Sequence, residues 1–221
     1  MTEHTLITLT LAILVTSIAA VEIRNLRTTS FAYLLHSIFL FAIVMGYAYV
    51  KHNESLYLWA ITCFLTKVII IPYMLFRFVK TVPIMEHKPI IGFVFSVVIV
   101  SSLMVIFFTF FRKVIIFLAP TPTAMVEPVR SLLAGAFTIF SLGLYALLTR
   151  RDVLKTVIGL ALLENGVHLV LLALAPQLKE TTMIGILTNV LAVVIILLYL
   201  SRDIYRIFGT TDTVQLSELK R

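Results

Sequence analysis

The stretch whose reading decides the fold is Val157-Ile158-Gly159-Leu160-Ala161-Leu162-Leu163-Glu164-Asn165-Gly166-Val167-His168-Leu169-Val170. It is apolar enough for lipid to be its natural surrounding, yet an acid and an amide stand at its centre. A charge at bilayer depth costs about 2.5 to 3.5 kcal/mol even on insertion scales. Glu164 must therefore be protonated, paired or hydrated. Asn165 follows it directly, and His168, four residues on, lies on the same helical face. Acid, amide and imidazole are gathered within little more than one turn. They either handle protons or cations, or form a polar staple between helices worth roughly 1 kcal/mol.

Working outward, hydrophobic residues make up 60% of the 221-residue chain and charged residues 13%. Mean hydropathy is +1.06, whereas a soluble domain carries about 25% charged residues. Windows of about 20 apolar residues fall at roughly Thr5 to Val21, Ser30 to Val50, Leu56 to Phe76, Ile90 to Phe111, Pro128 to Leu148, Val153 to Ala175 and Thr181 to Ser201. The expected fold is all-α, a polytopic membrane bundle of about seven transmembrane helices. Met1-Thr2-Glu3-His4 lacks the basic flank of a cleaved leader, so the first window is read as a retained helix. The lone Cys63 falls inside the third window, where it reads as a small packing residue.

The formal charge of +7 becomes informative once it is assigned to loops. Arg24, Arg27, Arg77, Lys80, Lys88, Arg150, Arg151, Lys155, Arg202, Arg206, Lys220 and Arg221 follow the odd-numbered windows, and Lys51, Arg112, Lys113, Arg130 and Lys179 lie on the opposite side. Twelve against five predicts, by the positive-inside rule, an outer N-terminus and a cytoplasmic C-terminus. The positive charge is a topology signal and no nucleic-acid footprint.

Little chain remains for a soluble domain. The connection from Arg77 to Pro89 holds Pro83 and Pro89, and the outer one around Ala119-Pro120-Thr121-Pro122-Thr123 is proline-rich and stiff. The latter (119–127) divides a four-helix N-terminal part (1–118) from a three-helix part (128–208), which is followed by a cytoplasmic tail (209–221). The sequence shows no phosphate-binding glycine loop and no cysteine set for zinc or an iron–sulfur cluster. The expectation is therefore no catalytic residue, metal ligand or cofactor on this chain.

Gly143-Leu144-Tyr145-Ala146-Leu147-Leu148-Thr149-Arg150-Arg151-Asp152-Val153-Leu154-Lys155, then Val157-Ile158-Gly159-Leu160 and Glu164-Asn165, resembles the K subunit of respiratory complex I and the C subunit of Mrp-type cation/proton antiporters. The whole chain is similar to a longer version of that module, the component E family of hydrogenase-4 type, formate hydrogenlyase-type NiFe hydrogenases. Leu58-Trp59, Phe64-Leu65-Thr66-Lys67-Val68, Pro72, Glu164-Asn165-Gly166-Val167-His168-Leu169-Val170, Gly209-Thr210, Asp212 and Leu216-Ser217-Glu218-Leu219-Lys220 carry this resemblance. It implies a subunit in the membrane arm of a complex I-related hydrogenase, in the cell membrane of a prokaryote, contributing to translocation of protons or sodium. Its implied partners are antiporter-like and other hydrogenase membrane subunits and a peripheral arm holding the NiFe centre and iron–sulfur clusters. Two alternatives stay open: an Mrp-type antiporter subunit without redox partners, and a packing scaffold with no ion path.

The match to the short K subunits departs at two places. Their first membrane glutamate follows Ile-Gly-Leu, where this chain has Ala161; its acid comes three residues later, about 4.5 Å along the axis. The last window has Thr188 and Asn189 where the module often carries a second acid. Lys67, at mid-depth in the third window as Glu164 is in the sixth, is the candidate replacement. Pro72 lacks an N–H and disturbs the carbonyl of Val68, loosening the helix beside the lysine. The pair would be either a proton relay or a permanent structural ion pair. His36, about two turns from the cytoplasmic end of the second window, is a further relay candidate because its reference pKa of about 6.5 allows both states near neutrality; its alternative is a hydrogen-bonded packing residue. Glu22, at a helix end, is expected to be solvated, and Phe107, Phe108, Phe110 and Phe111 to face lipid or neighbouring helices.

Overall fold

A computed structural model describes residues 3–82 and 92–210. Among the described residues there are nine α-helices and one π-helix: α1 (Glu3–Glu22), α2 (Leu26–Lys51), α3 (Glu54–Cys63), the π-helix (Phe64–Ile70), α4 (Ile71–Thr81), α5 (Phe93–Leu118), α6 (Pro122–Met125), α7 (Val129–Thr149), α8 (Val153–Leu174) and α9 (Glu180–Phe208). α3, the π-helix and α4 form one continuous span, Glu54–Thr81, and among the described residues seven helices are long and apolar enough to cross a bilayer. The chain is a multi-pass membrane protein. The tail from Asp212 to Arg221, with Val214, Leu216 and Leu219, lies outside the described residues, as do Pro83, Lys88 and Pro89.

Short polar caps set the turns. Asn25 accepts from the backbone N–H of Arg27 at 3.0 Å and Thr28 at 3.3 Å, starting α2 four residues before the expected Ser30. At the opposite end, His52 takes the left-handed conformation and Asn53 accepts from Ser55 at 3.0 Å, so two residues suffice to turn α2 into α3. Asp152 accepts from Leu154 N–H at 2.8 Å and opens α8.

α5 departs from expectation by running to Leu118, beyond Phe111. Residues 114–118 are apolar and continue the helix past Arg112 and Lys113, which were expected in the loop. Arg112 bonds outward to Glu127 at 2.6 Å, and the basic heads reach solvent on their aliphatic stems. The loop beyond contains the single turn α6, capped by the Thr121 hydroxyl on Ala124 N–H at 3.3 Å.

α7 and α8 pair most closely, α1 packs on α2 and α7, and α2 also meets α8. One apolar core therefore runs through both halves of the sequence. The α7–α8 approach depends on glycine: a Cβ on Gly143 would stand 2.5 Å from Leu163 N and 2.7 Å from Gly159 O, and one on Gly166 2.7 Å from Ala136 O. Small residues at a membrane interface let backbones meet in this way. α8 is consequently the most enclosed span and α5 the least. Phe111 of α5 stacks on Phe137 of α7 at 5.3 Å, while Phe110 is exposed.

Candidate ion-handling site

The enclosure of α8 puts Glu164 near its middle among helices and away from lipid. Facing it is the π-helix, whose wider backbone ring bonds Ile71 N–H to Thr66 O. Pro72, unable to donate to Val68, sits just beyond. The expected loosening takes the form of seven residues of π geometry centred on Lys67, a conformation that recurs at functional sites. Lys67 is 1% exposed; its ammonium pairs with Glu164 Oε2 and donates to Asn165 Oδ1.

His168 completes the group from one turn further along α8. Its Nε2 lies 3.1 Å from Glu164 Oε1, but off the direction of a hydrogen bond, so both His168 nitrogens and Oε1 lack partners. Trp59 meets the imidazole edge-on at 5.9 Å between ring centroids and encloses it. Glu164, Asn165, His168 and Lys67 thus form one buried cluster near mid-span. Ammonium, carboxylate and imidazole stand in series, with the separation between the last two short enough for a small rotation to pass a proton.

His36 is held elsewhere. It is fully buried on α2, with Nδ1 3.1 Å from Ser17 Oγ and 3.3 Å from Ile13 O, both on α1. Tyr33 stacks on it at 6.2 Å, with its hydroxyl within hydrogen-bonding reach of Ser37 and Asn165 and close to Glu164 and Cys63. Sequence reasoning missed Tyr33, Ser37, Ser17 and Trp59. The spacing Tyr33, His36, Ser37 on one helical face was a signal for Tyr33 and Ser37, and Trp59 stood in the Leu58-Trp59 pair that carries the resemblance, whereas Ser17 carries none. Trp59 Nε1 and His36 Nε2 are buried and meet no hydrogen-bonding group among the described residues.

A second polar group lies at the far end of α8. Glu22, expected to be solvated, is 4% exposed and pairs with Arg150, which also donates to Ser96 Oγ at 3.1 Å. The basic turn after α7 folds inward over the end of α1, so the acid finds a cation where open water was expected. Lys155 donates to the carbonyls of Ala20 at 3.0 Å, Val21 at 2.8 Å and Ile23 at 2.5 Å, capping the negative end of α1. Nine residues separate Lys155 from Glu164, about 13 Å along α8. Among the described residues no three His, Cys, Asp or Glu side chains converge as a metal site.

Residues 131–221 match the family model described as NADH-ubiquinone/plastoquinone oxidoreductase chain 4L. The chain is also similar to the protein named Hydrogenase-4 component E from Escherichia coli strain K12, from Escherichia coli O157:H7 and from Shigella flexneri. Each is 29% identical over 208 residues, which span 94% of this chain and 93% of the relative. No solved structure matches the chain significantly.

Proposed function

We propose that this chain, similar along nearly its whole length to hydrogenase-4 component E and in its last three spans to chain 4L of complex I, is a membrane-arm subunit of a complex I-related NiFe hydrogenase. It works within a multi-subunit complex in the cell membrane of a prokaryote, with the Arg150 end facing the cytoplasm. Antiporter-like and other hydrogenase membrane subunits flank it, and a peripheral arm carries the NiFe centre and iron–sulfur clusters. This chain holds no cofactor and contributes to redox-coupled translocation of protons or sodium.

The observation that carries this reading is the Lys67–Glu164–Asn165–His168 cluster, an ion pair with a histidine beside it, enclosed at mid-depth in a multi-pass protein. Intramembrane ionisable groups are expensive and mark ion paths more often than structural staples. A conformational or electrostatic change in a neighbouring subunit alters how strongly Lys67 holds Glu164. The freed carboxylate then accepts a proton, and as the carboxylic acid it can pass that proton to the adjoining neutral imidazole.

Glu164→Gln tests it, because the amide keeps the volume and removes the titratable charge. In proteoliposomes of the intact complex, the variant is expected to assemble at normal levels and turn over hydrogen while ΔpH formation per turnover collapses. Wild-type coupling in that variant would leave the cluster as a structural staple.

A further inference from the structure

The end of the bundle opposite Arg150 holds a partly open recess of about 450 Å³, between the ends of α2 and α8 and the starts of α1 and α7. Its volume lies in the range of ligand pockets, about 300–1,000 Å³. Small residues open it, since Gly46 of α2 and Ala173 of α8 stand in its wall. Glycine weakens a helix interior; here its missing side chain leaves the space. Asn53 holds the turn after α8 in place, its Nδ2 donating to Pro176 O at 3.4 Å.

The recess spans the boundary between headgroups and hydrocarbon. α2 has 26 residues and is therefore about 39 Å long, whereas the hydrocarbon layer is roughly 30 Å thick. Its last residue, Lys51, thus stands among lipid headgroups, and Gly46 lies about 7.5 Å deeper along the helix, at the edge of the hydrocarbon. The rim residues Lys51, Thr123 and Gln177 are exposed. The rest of the wall is largely apolar, with Leu6, Tyr47 and Leu174, and water would find few partners there. Among the described residues Lys51 forms no ion pair, and no acidic side chain lines the recess.

We propose that this recess binds one anionic phospholipid, with its phosphate against the Lys51 ammonium and the upper part of an acyl chain beside Gly46 and Leu174. A polar rim above an apolar wall matches a molecule with a head and a tail, and the charge selects among lipids. The ammonium attracts a phosphate. A choline or ethanolamine headgroup adds a cation that Lys51 repels and that no carboxylate in the lining receives. Phosphatidylglycerol, whose only charge is its phosphate, meets the lysine without that conflict, and the Thr123 hydroxyl and Gln177 amide are donors at the same rim. One lysine beside an anionic headgroup corresponds to a preference of about fivefold. The site requires only the multi-pass fold, and none of its residues belongs to the Lys67–Glu164 cluster.

The probe is phosphatidylglycerol carrying a photoreactive diazirine high on one acyl chain, compared with phosphatidylcholine carrying the same chain, each reconstituted with the intact complex. Mass spectrometry is expected to map phosphatidylglycerol adducts to residues 46–51 and 173–177, about fivefold more than phosphatidylcholine adducts. Lys51→Ala is expected to equalise the two lipids, and Lys51→Glu to reverse their order. Gly46→Leu, which fills the recess, should remove adducts of both lipids from these segments while labelling elsewhere in the complex is unchanged. Equal labelling by the two lipids in wild type, or an undiminished preference in Lys51→Ala, overturns the proposal. So does wild-type labelling that spares both segments, the outcome if a neighbouring subunit covers the recess. Should Gly46→Leu fail to assemble, the two Lys51 variants decide, because that side chain is exposed and outside the core.

Discussion

With Lys67 replaced by methionine, Glu164 would stand in the bundle interior without its cation, and breaking a buried ion pair from one side costs about 3–5 kcal/mol. Lys67→Met is therefore expected to lower both the yield and the melting temperature of the detergent-extracted complex. The double variant Lys67→Met/Glu164→Gln should recover much of that stability while remaining uncoupled; a double variant no more stable than Lys67→Met would mean that the cation serves packing. At this scale the sequence was readable where chemistry was local. Glu164 and His168 face one another because four residues make one turn, and Lys67 was found by its depth. Glu22 was misread because its partner Arg150 lies 128 residues away. Tyr33 looks like an ordinary membrane aromatic until its hydroxyl is found beside Ser37 and Asn165, and the place of Trp59 against His168 shows only in the packed bundle.

Among elements, the closeness of α7 and α8 sets the position of the site. A Cβ on Gly143 meets backbone atoms of Leu163, the neighbour of Glu164, and backbone cannot rotate aside. Gly143→Ala should cost about 1–3 kcal/mol and weaken coupling by displacing Glu164 from Lys67. Gly185→Ala, on α9 with open space around it, is the control and should be neutral or slightly stabilising by thermal shift. The link between α5 and α7 depends on pH. Burial opposes ionisation of Glu127, but hydrogen bonds from Ser131 and Arg112 outweigh it and hold the carboxyl below its ordinary range. A depressed folded-state pKa means that this stabilisation is complete above the unfolded value and is lost as pH falls through the folded one. Hydrogen exchange across residues 119–131 should accelerate below about pH 4, and Glu127→Gln should abolish that acid dependence. Apolar windows and caps made the spans legible; the π-helix was foreshadowed only by Pro72, whose effect on its neighbours depends on tertiary packing.

Among the described spans, the least enclosed are α5, with Val94, Phe95 and Phe117 exposed, and α9, with Ile196 and Tyr199 exposed. Gentle detergent extraction followed by mass spectrometry is expected to recover this chain with antiporter-like membrane subunits, a NiFe large subunit and iron–sulfur proteins. Antiporter subunits alone would favour an Mrp-type assembly, and a stable lone monomer would exclude both. The number of spans was readable because lipid demands long apolar runs; their order in space was not, because it depends on contacts between distant parts of the chain. Those contacts also impose a timetable on biosynthesis. The first span reaches the membrane while Lys155, which caps its last carbonyls from as many as 135 positions downstream, is still untranslated. At about 5–20 residues per second, the ribosome needs roughly 6 to 25 s to deliver Arg150 and Lys155. Through that interval the Glu22 end of the nascent hairpin must be kept by water, lipid headgroups or the insertion machinery, and only the sixth span releases it from their care.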